Sequence, residues 1–379
     1  MPADRVAGLP RRQEGNVLSR IAILTPLFTI ADAVSNDVFG MHEALKKSGH
    51  EVRVFANEWT TDGIGVVSVD RIQDFISNRD DILIYHYSMG WNVGLNLVKE
   101  AVCRKVVKYH NITPPEYFAG ISIDYENTCR AGRLQLRDFA HLACDLYLSD
   151  SEYNMWELLL AGAEKSKSFV VPPFHHIDRL NGTEPDAAVL DAYTGETANI
   201  LMVGRVAPNK GHLGLIEAFA TYHRNYNANS RLLIVGKELE HLESYSSSLR
   251  KLIFRLDLDS AVVFTGCVSD EQLKAYYMVA DVFTITSDHE GFCVPLVEAM
   301  ALKLPIIACA STAITGTVGK SGLVWKERNP HLLAESIDFL VKNESLALGL
   351  GLMGWRRYEQ LYTNEKIEAD LLAALSHLV

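Results

Sequence analysis

The stretch Val282-Phe283-Thr284-Ile285-Thr286-Ser287-Asp288-His289-Glu290-Gly291-Phe292-Cys293-Val294-Pro295-Leu296-Val297-Glu298-Ala299-Met300 passes from a strand through a loop into a helix. Residues 282–286 form a short β-branched and aromatic run, the mark of a buried strand. Pro295 suits the first helical turn, where its missing amide donor is not needed. Gly291 lets a ligand approach the backbone closely, and the free amides and dipole at the helix start suit a phosphate. Glu290 at the strand end and Glu298 one turn into the helix flank that anion site. Two carboxylates beside a phosphate would repel it, so their natural partners are hydroxyls, a ribose for one and a sugar for the other.

Working outward, the same alternation recurs on both sides. Short aliphatic runs at 21–24, 52–55, 82–85, 106–109, 146–148 and 169–171 are separated by amphipathic stretches, with helices expected at 37–47 and 131–143. A second series of runs at 200–203, 232–235, 262–265, 282–286, 306–308 and 323–325 alternates with helices near 211–224, 241–256, 270–279, 295–303 and 330–342. Strands alternating with helices predict parallel sheets, and two such series predict two facing α/β domains with a ligand cleft at their strand ends. The expected division is a loose tail at 1–20, a first Rossmann-like domain at 21–180, a linker at 181–198 after Pro172-Pro173, a second Rossmann-like domain at 199–354 and a final helix at 355–379. That last helix either closes its own domain or returns across the interface to the first.

Bulk properties agree with this. The chain has 379 residues, 48% hydrophobic and 22% charged, which excludes a disordered chain or a fibre. Net charge is −11, or −4 before residue 180 and −7 after it, so neither half is a basic nucleic-acid module. The six cysteines show no CxxC pair or short framework spacing, which suits a reducing cytosol. Residues 21–34 are broken by Thr25, Pro26, Thr29 and Asp32, and no run reaches the ~18–20 apolar residues of a membrane span. The N-terminus lacks the apolar segment of an export signal. Any membrane contact is therefore expected to be peripheral.

A second loop carries chemistry. In Val203-Gly204-Arg205-Val206-Ala207-Pro208-Asn209-Lys210-Gly211, again a strand-to-helix junction, Arg205 and Lys210 place two cations where a departing diphosphate could be neutralised. Solvated surface charges are the ordinary alternative.

Together these segments resemble the retaining glycosyltransferases of family 4, which have the GT-B fold. Glu290 and Glu298 match that family's E-x7-E signature, Arg205 and Lys210 its diphosphate-binding pair, and Gly322-Leu323-Val324 its late glycine-plus-strand element. The resemblance implies that Glu290 contacts the donor sugar, that the amides of Gly291, Phe292, Cys293 and Val294 meet sugar and phosphate, and that Glu298 holds the ribose. It further implies a retaining attack on the face from which the phosphate leaves, with no metal and no cofactor, the nucleotide diphosphate sugar being a substrate. The base would be read largely by backbone, near Cys267-Val268. Cys293 stands where the family frequently has glycine.

In the first half, Lys108-Tyr109-His110-Asn111 ends a strand and Thr113-Pro114-Pro115 forbids helix after it. His110 is expected to project into the cleft, where the resemblance places a histidine near the donor sugar and the reacting centre. His86, at another strand end, reads as structural. The stretch Ala31-Asp32-Ala33-Val34-Ser35-Asn36-Asp37 lacks the paired glycines of many family members and looks like the version found in bacterial surface-polysaccharide glycosyltransferases. Asp32, Ser35 and Asn36 could bind acceptor hydroxyls, or Asp32 or Ser35 could simply cap the helix. Gly132-Arg133-x-Gln135-Leu136 and Ser151-Glu152-Tyr153-Asn154 resemble the same subgroup without an assignable role.

Three look-alikes read as structural: Gly319-Lys320-Ser321, which lacks the first glycine of a phosphate loop, Asp257-Leu258-Asp259 in a turn, and His175-His176 in the linker. The expectation is a cytoplasmic hexosyltransferase using GDP-mannose in preference to a UDP-sugar, with a saccharide or lipid-linked acceptor. The alternatives are a same-fold epimerase or hydrolase and a non-catalytic sugar-nucleotide-binding protein.

Overall fold

A computed structural model describes residues 19–29, 32–60 and 63–378. The expected tail is therefore largely, and Ala31 wholly, outside the described residues. The strands are β1 (Arg20–Phe28), β2 (Glu51–Trp59), β3 (Val67–Ser68), β4 (Ile82–Tyr87), β5 (Arg104–Tyr109), β6 (Leu146–Ser149), β7 (Ser168–Val170), β8 (Ala198–Val203), β9 (Ser230–Val235), β10 (Val262–Gly266), β11 (Val282–Ile285), β12 (Ile306–Cys309) and β13 (Leu323–Trp325). They form two sheets, ordered β3-β2-β1-β4-β5-β6-β7 and β10-β9-β8-β11-β12-β13, with every pairing parallel. The central strands β4 and β8 are buried along their whole length, as strands covered on both faces must be. Two Rossmann-like domains of the GT-B kind result.

Each sheet has a topological switch, at β1/β4 and at β8/β11, and ligands of open α/β sheets bind outside the strand C-termini at such points. The loops after β8 and β11 carry Arg205, Lys210 and Glu290, and the helix that follows the second loop carries Glu298.

The stretch between the domains is more ordered than its composition suggested. Ile177–Gly182 and Ala187–Tyr193 are short helices, the second capped by Asp186, whose carboxylate accepts from the Val189 amide. Ile177 and Val189 bury into the core of the second domain, so this segment is part of that domain's surface.

The C-terminal stretch also differs, forming two helices, Glu344–Leu361 and Asn364–Leu375, because Thr363 stops the first and caps the second. Ile367, Leu371, Ala374 and Leu375 pack with Ile21, Ile23 and Val38 in a core cluster of the first domain. The helix Asn364–Leu375 thus packs on the first domain. Among the described residues, no helix is long and apolar enough to cross a membrane. Leu371 is fully buried in that cluster. Leu371→Ala is expected to cost about 2–5 kcal/mol, read from the urea midpoint, although it lies far in sequence from the strands it supports.

Candidate functional site

The loop after β8 is shaped by backbone that only glycine tolerates. Gly211 has φ +71, and a Cβ there would lie 2.1 Å from the Thr286 carbonyl oxygen. The loops after β8 and β11 can touch because of it. Asn209 then clamps them: its carbonyl accepts from the Asp288 amide at 2.8 Å and its side-chain amide donates to the His289 carbonyl at 3.1 Å. Lys210 reaches both oxygens of Glu290, at 2.7 and 2.9 Å, in a partly buried pair. Arg205 remains exposed, its guanidinium 3.4 Å from the Tyr125 hydroxyl across the cleft.

The loop after β11 is fixed on its other side by Thr312, whose hydroxyl accepts from the Glu290 amide and donates to the Glu290 carbonyl, both at 2.8 Å. Thr317 donates to the Phe292 carbonyl, and the Phe292 ring meets Tyr362 edge-on. Cys293 is the N-cap of the helix Val294–Ala301 and has φ +76. A left-handed cap is glycine territory, so cysteine here holds the loop at a cost in backbone strain. Glu298 is nearly fully buried, accepts from the Tyr277 hydroxyl at 2.7 Å, and lies 3.6 Å from His176 Nε2. Burial pushes its carboxyl above the ordinary range, against the pull of His176 and Tyr277. Val268 follows β10 and is half-buried beside the cap of Asp270–Val279.

The first domain meets this loop directly. A Cβ on Gly291 would lie 2.7 Å from both the His110 carbonyl oxygen and Asn111 Cβ. Ser151 Oγ donates to the Gly291 carbonyl at 2.7 Å, and His289 Nε2 meets Asn111 Oδ1 at 2.6 Å. Asn111 in turn donates to Asn154 and Glu157, and Arg133 holds Glu157. The two unassigned motifs of the first half therefore build the surface that receives the E-x7-E loop.

His110 departs from expectation. Its ring is 4% exposed and is turned into the first domain, with Nδ1 on Asp150 Oδ2 and Nε2 facing His86 Nδ1, each at 2.9 Å. Its carbonyl faces Gly291 instead. Lys108, fully buried in β5, pairs with Asp150 Oδ1 at 2.8 Å. Burial alone would raise the Asp150 carboxyl, but His110 and Lys108 outweigh it and hold it below its ordinary value. Only Lys108 signalled this network in sequence, as a lysine inside an apolar strand.

Asp32 accepts from the Ser35 amide and hydroxyl and so caps the helix Ala33–Lys47, while Ser35 Oγ accepts from the Thr29 amide. Asn36 donates to His176 Nδ1 at 3.2 Å. Ser35, Asn36 and His176 line a cavity of about 740 Å³ that also touches Phe39, Phe174 and Asn364. The His175-His176 pair is thus more than linker: His175 Nε2 donates to the Tyr362 carbonyl, and His176 stands beside Glu298. Gly319 follows the helix Ile314–Val318 rather than opening one, and Asp257 has φ +51 in a turn with Leu258 buried.

His289 reports on the join between the domains. Burial holds its ring down to about 4, well below the 6.5 of a free imidazole. Between those values the unfolded chain takes up a proton that the folded chain refuses. This contribution is complete above pH 6.5 and lost as pH falls toward 4. His289→Gln is expected to flatten the fall in urea-unfolding free energy over that window, by up to about 3 kcal/mol.

Residues 193–351 match the family described as "Glycosyl transferases group 1". Mannosylfructose-phosphate synthase of Agrobacterium fabrum is 26% identical over 249 residues, 64% of this chain and 55% of that protein. The GDP-mannose-dependent alpha-(1-6)-phosphatidylinositol monomannoside mannosyltransferase of Mycobacterium tuberculosis is 28% identical over 169 residues, 42% of each chain. The chain spans about half the length of the curated relatives it matches. Among solved structures, Anabaena HepE in complex with UDP-glucose superposes with a TM-score of 0.75 at 17% identity, covering 94% of this chain and 99% of that one. The match to the glycosyltransferase group 1 model thus falls on the second domain of a two-domain GT-B fold.

Proposed function

We propose that the protein is a retaining hexosyltransferase that binds a nucleotide diphosphate sugar between the loops after β8 and β11 and transfers the sugar to a saccharide acceptor. The observation that carries this reading is the meeting, at the β8/β11 switch, of an exposed arginine, a lysine, two largely buried carboxylates and a helix start. Arg205 and Lys210 carry the diphosphate, so that charge leaving with it is met by fixed cations rather than by a metal. Lys210 exchanges one of its Glu290 contacts for a phosphate oxygen, which frees Glu290 to accept from a sugar hydroxyl. Glu298 accepts from the ribose, with His176 beside it. His110 acts through its carbonyl and its hold on the loop, since its ring is turned inward. A retained configuration follows if the acceptor hydroxyl attacks from the leaving-group side and gives its proton to the departing phosphate, a course that asks no carboxylate to be the nucleophile.

GDP-mannose is the first donor to try, in line with the subgroup resemblance and the mycobacterial relative, and a UDP-sugar is the second. A thermal-shift panel of GDP, UDP and ADP decides between them, since a diphosphate at a hundred times its Kd should stabilise the chain by about 2.7 kcal/mol. No shift with any of the three would defeat the proposal. Lys210→Ala is expected to lower kcat/KM by about 100-fold or more through loss of leaving-group stabilisation. Glu298→Gln is expected to raise the donor KM about tenfold with kcat nearly kept, and an unchanged KM removes the ribose role.

A further inference from the structure

We infer that Asp37, His86 and His110 form a binding site for one first-row divalent metal ion in the first domain, apart from the donor loops. His86 Nδ1 and His110 Nε2 lie 2.9 Å apart, and each is 3.6 Å from Asp37 Oδ2. A point equidistant from these three atoms is about 2.0 Å from each, the distance at which zinc holds imidazole nitrogen and carboxylate oxygen. Two imidazoles and one carboxylate are a common ligand set for such ions.

Three further observations point the same way. Asp37 is fully buried, yet only its Oδ1 is satisfied, by the Phe174 amide at 2.8 Å; Oδ2, aimed at the two rings, has no hydrogen-bond partner. A buried carboxylate oxygen left bare is costly, and a coordinated cation removes that cost. Next, His110 offers Nε2 to the site while its Nδ1 meets Asp150 Oδ2 at 2.9 Å. A carboxylate behind a ligating histidine fixes the ring's tautomer and orientation, as metal sites regularly require. Finally, the buried charges do not balance. Asp37 and Asp150 face one ammonium, Lys108, which is committed to Asp150 Oδ1 and the Val171 carbonyl and stands 3.9 Å from Asp37 Oδ2. With both imidazoles neutral, as ligation requires, one negative charge is left for the ion to offset in a place without solvent.

The ion would tie the helix Ala33–Lys47 to the ends of β4 and β5 and so fix the His110 carbonyl against Gly291. The alternative occupant is a single proton shared among the same groups.

The test uses the full, tag-free chain produced with zinc in the medium and purified without chelator. Elemental analysis should give about one metal per chain, and dipicolinate should strip it and lower Tm. Cobalt(II) added to the stripped protein should give the visible ligand-field bands of a low-coordinate nitrogen and oxygen site. His86→Gln should lose the metal, whereas His331→Gln, an exposed surface change, should keep it. Metal content below about one-tenth equivalent, together with no cobalt spectrum, overturns the site and leaves the proton as occupant. Full occupancy in His86→Gln also overturns it, by placing the ion elsewhere. If His86→Gln does not fold, the wild-type content and cobalt spectrum decide. These readings do not depend on transfer activity, so their failure is distinguishable from failure of the transferase reading.

Discussion

Gly291 sits where no side chain fits, with the backbone of His110 on one side and Asn111 on the other, and its carbonyl accepts the Ser151 hydroxyl. The E-x7-E part of the candidate site lies within a few residues of that contact. Glu290 precedes it, the helix start with its free amides follows, and Glu298 comes one turn later. The first domain therefore does not merely face the loop after β11; it sets that loop's position. His289 reinforces the join by bonding Asn111 on the same strip. Both contacts rest on a second layer inside the first domain, where Asn111 leans on Asn154 and Glu157 and Glu157 on Arg133.

What could be read from the sequence was what local chemistry dictates. The β-branched runs marked nearly every strand, and Gly211, Pro295 and the spacing of Glu290 and Glu298 marked the two loops, because each signal lies within a dozen residues. The buried cluster was hidden for the opposite reason. Asp37, His86, Lys108, His110 and Asp150 come from separate parts of the first half, and only the parallel register that sets His86 beside Lys108, with β6 next to β5, brings them together. The inward turn of His110 was hidden too, since a strand end leaves ring direction open until Asp150 and His86 come to lie beside it. The break at Thr363 and the short helices after Pro173 are capping effects, which a lapse in periodicity obscures.

The charge distribution has a similar logic. An acidic chain can still bind an anion if its few cations are placed where backbone amides already help. Lys210 is paired with Glu290, which offsets its charge, while Arg205 on the same loop stays exposed. In the first domain Lys108 does the reverse work, offsetting carboxylates that would otherwise be intolerable beneath the cleft floor. The two lysines differ in exposure, Lys210 partly buried at the cleft and Lys108 fully buried in β5.

The return of the final helix to the first domain has a bearing on how the molecule is made. The core around Ile21 and Val38 is incomplete until Ile367 and Leu371 have emerged from the ribosome. The second domain, whose strands and main packing helices all lie between residues 177 and 362, has its whole core available earlier. Synthesis thus inverts the usual order in which the N-terminal unit matures first. The first domain, although it comes earlier in the sequence, cannot complete its core until residues that follow the second domain have left the ribosome.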